Sequence, residues 1–152
     1  MINYMVGSAC ETIAVRWMTN LLSELNSEQC KQAARFLEEI DSQRDSFEEI
    51  EARELEWQRK TYSVFVRLKE GFEKHVLRQT DSFNALANAL AGDPEKEYGL
   101  RTLEVRLLLV KLASRAYELE TGSRPSELSK LIPSYLKEIP RNPTTGTALD
   151  LP

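Results

Sequence analysis

Apolar residues recur at three- and four-residue steps along much of this chain, and the strongest run lies between Leu100 and Leu119. There Leu100, Leu103, Leu107, Val110, Ser114 and Tyr117 form one row, and Val105, Leu108, Leu112, Ala116 and Leu119 form a second beside it. A surface helix needs one such row, so two rows predict a central helix with Leu107 and Leu112 in its interior. Each large side chain buried there contributes roughly 1.5–3 kcal/mol before entropy is subtracted. Gly122 is placed to cap this helix in the left-handed conformation, and Pro125 to restart a short helix that turns Leu128, Leu131 and Ile132 inward.

Upstream, Ile2, Met5, Val6, Ala9, Ile13, Trp17, Leu21 and Leu25 mark an amphipathic helix with Trp17 as its core anchor. Gly7, Ser8 and Ala9 would let another backbone come close. Asn26 with Gln29, or Ser27 one step later, caps a second helix carrying Cys30, Ala33, Ala34, Leu37 and Ile40. So short a connection predicts an antiparallel helical hairpin. Ser46 and Glu49 then open a long charged helix reaching about Arg78, marked by Phe47, Ile50, Trp57, Phe65, Leu68, Phe72 and Val76. Between Glu48 and Lys60 its apolar stripe thins, and the pairs Glu49–Arg53 and Glu56–Lys60 take over at four-residue spacing. Gly71 marks a bend in it.

A short helix over Phe83–Leu90 ends at Gly92, and Asp93-Pro94-Glu95 reads as a fresh cap. The main helix starts either there or after Gly99. Asn142-Pro143-Thr144-Thr145-Gly146 is a tight turn by composition, with little chain after it to form strands. The expected fold is therefore all-α: an irregular helical bundle of about five helices with a Pro-rich tail. Residues 1–152 read as one helical domain with 123–152 packed on it. A pattern already in mid-helix at the start suggests the C-terminal part of a longer protein.

Composition narrows the function. A chain of 152 residues can bury roughly 70% of its unfolded surface without staples. Its net charge of −4 and lack of a basic stripe with interleaved aromatics exclude a general nucleic-acid binder. The charge is uneven, running acidic from Glu38 to Glu56 and basic in the second half through Arg101, Arg106, Lys111, Arg115, Arg124, Lys130, Lys137 and Arg141. Two complementary solvated faces explain this; a cationic partner or a metal on the acidic face is the alternative. No apolar run approaches the roughly 20 residues of a membrane span. The start lacks a signal peptide, which points to the cytoplasm, or to the envelope or periplasm if a targeting segment precedes this chain. Cys10 and Cys30 would lie roughly 16 Å apart along an antiparallel pair, so both are expected to be buried thiols.

Chemistry is sparse. His75 is the only histidine, which removes multi-imidazole metal sites, and no P-loop, dinucleotide fingerprint or Glu-x-x-His pair occurs. No cofactor is expected. Glu48, Glu51 and Glu54 or Glu56 could offer carboxylates for acid–base work, but a solvated helix face accounts for them. Trp57, half-exposed among charges, is the leading candidate for a protein contact, with Glu51, Glu54 and Arg124 as further candidates.

From Tyr117, Leu119, Glu120, Gly122 and Pro125 through Leu128, Leu131, Tyr135, Leu136, Pro140, Pro143 and Gly146, the wording resembles the segment ending the long helix of type II secretion major pseudopilins. It resembles more closely the C-terminus of bacterial proteins with helical bodies that share this motif. Arg124 stands where the pattern has an aromatic, and Asn142 where it has Asp. The processing site and membrane helix of a pseudopilin are missing, so filament assembly is not carried over. What the resemblance implies is a helix, a buried loop and a proline-rich tail folded back. The expectation is a non-enzymatic helical module acting through a protein partner or self-association, within a larger envelope-associated protein. The alternatives are a ligand- or metal-binding protein or enzyme using the acidic face, and a pseudopilin-related component.

Overall fold

The computed structural model describes residues 2–69 and 93–151. These residues are all-α, with α1 at Ile2–Leu21, α2 at Ser27–Ser42, α3 at Phe47–Lys69, α4 at Pro94–Thr121 and a 3-10 helix at Leu128–Leu131. Four helices and the 3-10 helix stand against the five or so expected. The helix expected at Phe83–Leu90, with Gly71, Phe72, His75 and Val76, lies outside the described residues. The chain divides into two compact units, one of Met1–Met5 and Asp45–Glu97, the other of Val6–Arg44 and Tyr98–Pro152.

Local sequence sets where the helices begin. Asn26 Oδ1 accepts from the Gln29 amide at 2.9 Å while its own amide donates to Gln29 Oε1 at 3.0 Å, closing a capping box on α2. Ser46 and Glu49 repeat the device on α3, with contacts of 2.8 and 3.2 Å. Asp93 Oδ1 accepts from the amides of Glu95 at 3.1 Å and Lys96 at 3.3 Å, which starts α4 at Pro94 rather than after Gly99. Gly99 sits inside the helix because a Cβ there would stand 3.0 Å from Thr144 Oγ1. Gly7, where close backbone approach was expected, would place a Cβ within 4 Å of nothing.

The core belongs to the second unit. Cys30 and Ala34 of α2 pack with Leu108, Leu109, Leu112, Ala113 and Ala116 of α4 and with Leu128, Leu131, Tyr135 and Leu136 of the tail. Of the two rows on α4, the second is buried except at its exposed end, Leu119. The first carries buried Val110, half-buried Leu103, Leu107, Ser114 and Tyr117, and exposed Leu100. Leu107, expected inside, borders a groove instead. Helix α1 contributes Val15 and Met18 to the core, and the connection after it contributes Leu22 and Leu25. That choice turns Ile13, Trp17 and Leu21 outward at 58%, 66% and 40% exposure, so Trp17 is no core anchor. Cys10 goes outward with them, against the expectation of two buried thiols, while Cys30 is buried and its thiol is pushed up by that burial.

Beyond α4, Gly122 takes φ 74° and its amide donates to Glu118 O at 2.9 Å. Pro125 does not restart an α-helix: it is buried in a stretch without regular secondary structure, and the 3-10 helix opens three residues later. In the final turn Asn142 Oδ1 accepts from the amides of Thr144 and Thr145 at 2.9 and 3.3 Å, and Gly146 takes φ 71°. Asn142 N reaches Thr147 O at 2.8 Å, Leu149 N reaches Pro140 O at 3.0 Å, and a single antiparallel bridge forms at Arg141–Ala148. The six residues after the turn thus suffice for one bridge, and the described residues contain no strand.

In the first unit, Glu48, Glu49, Glu51, Arg53, Glu56, Arg59 and Lys60 of α3 are exposed. Glu56 pairs with Lys60 at 2.7 Å as its spacing predicts, but Arg53 turns to Asp45 at 2.5 Å instead of Glu49.

Candidate functional site

The residues singled out from the sequence fall in different units. Trp57 is 47% exposed on α3, with Glu51 exposed and Glu54 half-buried and engaged by a neighbour. Arg124 follows α4 in the second unit, exposed, its Nε 3.6 Å from Glu118 Oε1.

Two members of the acidic run are structural. Asp41 Oδ2 accepts from Arg106 Nε at 2.8 Å, and Arg106 Nη1 donates to Arg141 O at 2.7 Å. Glu38 Oε1 accepts from the Lys137 amide at 2.7 Å. Both carboxylates tie α2 to α4 and the tail across a cavity of about 490 Å³. Each gives one oxygen to a guanidinium or backbone donor, while Glu38 Oε2 and Asp41 Oδ1 are shielded from water without a hydrogen-bond partner. Among the described residues, no group of three or more His, Cys, Asp or Glu could hold a metal ion.

A second polar junction centres on Glu120 near the end of α4. Its carboxylate takes Lys31 Nζ at 2.6 Å, accepts from Ser27 Oγ, and accepts from Tyr135 Oη at 2.7 Å. Lys31 Nζ also lies 4.9 Å from the Tyr135 ring centroid, and the Tyr117 and Tyr135 rings meet edge-on at 5.7 Å. Hydrogen bonds from Lys31, Ser27 and Tyr135 hold the Glu120 carboxyl down at about 2. Burial, then the bond to Glu120, pushes the Tyr135 phenol up to about 12. At neutral pH the junction holds an ionised carboxylate, a cation and a protonated phenol. That arrangement clamps the N-terminus of α2, the end of α4 and the tail together.

The remaining feature is a groove where α1 faces α4. Its wider part, about 480 Å³, is lined by Thr19 of α1, Leu22 and Ser23 just after it, Lys111, Ser114 and Arg115 of α4, and Arg124, among others. A narrower part of about 310 Å³ shares Thr19 and Lys111 with it and adds Val15, Leu107 and Leu108, with Thr12, Arg16 and Glu104 along its polar side. Lys111 and Arg115 are four residues apart and so share a helix face, a spacing visible in the sequence but given no weight there. Their convergence with Arg124 depends on the turn at Gly122, across which Arg124 meets Glu118.

Among the described residues, no helix is long and apolar enough to cross a membrane. No protein-family model, curated protein or solved structure matches this chain.

Proposed function

We propose that this chain is a non-enzymatic helical module that works through protein contacts, with the outward face of α1 as the contact and a second copy of the chain as its occupant. The observation that carries this reading is Trp17, two-thirds exposed between Ile13 and Leu21 on a helix whose opposite face is already packed. Large aromatics at a patch centre are the residues that dominate binding energy in protein interfaces. The row runs straight along the helix, so it can meet its own copy across a two-fold axis, where one patch serves both partners. Trp57 on α3, with Glu51 and Glu54, and Arg124 after α4 are further proposed contacts. Kinship of the tail with the pseudopilin segment is proposed on its residues alone and adds no activity.

Cys10 supplies a reporter, being exposed and two helical turns before Trp17 on the same face, while Cys30 is buried. Light scattering after size exclusion is expected to show a dimer for the wild type and a monomer for Trp17→Glu, with unchanged helicity. Alkylation of Cys10 should slow as wild-type concentration rises and stay constant in the variant. A wild-type monomer at all concentrations, alkylated as fast as Trp17→Glu, overturns the reading.

A further inference from the structure

The groove between α1 and α4 lies on the side of α1 away from Trp17, and the contact proposed above makes no use of it. Its wider part gathers three cations, Lys111, Arg115 and Arg124, against one carboxylate, Glu118. Glu118 is already engaged, taking Arg115 Nη1 at 3.2 Å and Arg124 Nε at 3.6 Å. Lys111 has no ion pair or hydrogen-bond partner among the described residues. The cleft therefore carries a surplus of two positive charges.

Two donors at the same place are unspent. Ser114 Oγ and Arg115 Nε are both shielded from water and lack any hydrogen-bond partner. Serine and threonine inside a helix ordinarily donate back to the carbonyl four residues earlier, as Thr12, Thr19, Thr102 and Thr121 do here at 2.8–3.0 Å. Ser114 does not. A shielded donor without a partner is a standing cost that an acceptor placed beside it relieves. Rotation of the Arg115 side chain presents its Nε edge together with an Nη, the planar fork that matches an oxyanion in two parallel bonds. Around these polar groups stand Leu22, Pro125 and Leu151, and beyond Lys111 the groove continues over Val15, Leu107 and Leu108.

We propose that this cleft is a binding site for a phosphate monoester carrying an apolar group. The phosphate sits against Lys111 with Arg124 at its rim, rotation of the Ser114 and Arg115 side chains brings their shielded donors to it, and the apolar group extends between α1 and α4. A phosphate monoester carries about −1.5 to −2 charge at neutral pH, which matches the surplus of two. A carboxylate supplies half of that. An inorganic phosphate supplies the charge but leaves the apolar walls in contact with water, forfeiting their burial. At a few hundred Å³ per part, the groove falls in the size range of small-molecule sites.

The test is titration of the ¹⁵N-labelled protein with phenyl phosphate, inorganic phosphate and benzoate at constant ionic strength, following amide resonances. Phenyl phosphate should give saturable shifts confined to residues 19–23, 111–118 and 124–125, and should bind at least about tenfold more tightly than either other probe. Lys111→Gln and Ser114→Ala should each weaken it about tenfold, a loss of one charge-assisted bond. Lys130→Gln, an exposed cation on the 3-10 helix, should leave it unchanged. Both cleft variants alter side chains outside the core cluster, and unchanged amide patterns in the free state verify their folding. Shifts that never saturate, benzoate binding as tightly as phenyl phosphate, or equal affinity in Lys111→Gln overturn the assignment.

Discussion

The two units of this chain hold their helices in different ways. In the unit of Val6–Arg44 and Tyr98–Pro152, α4 lies among side chains from α2 and the tail, and residues such as Val110, Leu112 and Ala113 are fully buried. In the unit containing α3, none of residues 45–57, 59–61 and 93–97 is buried, Leu55 and Trp57 are each about half-exposed, and the support seen along that stretch is a capping box and surface ion pairs. Both helices are long, so length says nothing about how either is stabilised. Burial removes apolar surface from water irrevocably, whereas an exposed ion pair exchanges one well-solvated arrangement for another and is screened by salt. Structure that rests on the first should resist local perturbation, and structure that rests on the second should yield to it without affecting the rest.

The severest test of that contrast is Leu112→Asp, which places a carboxylate at a site with 0% exposure and should cost more than about 4 kcal/mol, enough to unfold the second unit. Circular dichroism and gel filtration would report it; a folded variant would mean that α4 is not the centre of this core. Leu131→Ala probes whether the tail belongs to the same cooperative structure. This side chain is also at 0% exposure, and its truncation should cost about 2–5 kcal/mol by chemical denaturation, against a few tenths for a detached tail.

Asn26→Ala removes one local device from the well-packed unit and should cost about 1 kcal/mol, readable as a lowered denaturation midpoint. The Glu120 junction adds a pH signature. Its carboxyl is held at about 2, below its unfolded value, so its contribution is present above roughly pH 4.3 and is lost as pH falls toward 2. Tyr135 is held at about 12, above its unfolded value, so its contribution is complete below about pH 10 and is lost as pH rises toward 12. Melting temperatures followed from pH 5 to 2 should fall less steeply in Glu120→Gln than in the wild type; identical slopes would remove the junction from the account. The smallest effect is expected from Glu56→Gln on α3, which breaks the pair with Lys60 and should leave the melting temperature unchanged within error, at low and at high salt.

Much of the helical layout was legible because it is encoded locally. Asn26-x-x-Gln29 and Ser46-x-x-Glu49 satisfy orphan amides within a single turn, and Gly122 and Gly146 adopt positive φ where side-chain-bearing residues resist it. The candidate groove was much less legible. Lys111 and Arg115 share a face by spacing alone, but Arg124 joins them across the turn at Gly122, where it meets Glu118, and the spare donors on Ser114 and Arg115 follow from what fails to pack against them.

The sequence of α1 illustrates the limit. Val15 and Met18 compete with Ile13, Trp17 and Leu21 for the inward position, and a helix with apolar residues on both sides carries no local preference between them. The amino-acid order was enough to establish helices, their caps and the closing turn, because each depends on interactions reaching no more than a few residues. Which face of α1 is buried, why Gly99 can sit within α4 beneath Thr144, and how Glu120 collects Ser27, Lys31 and Tyr135 depend on segments far apart in the chain. Those outcomes were set by packing, since the free energy that selects them belongs to the contact between segments and to neither segment alone.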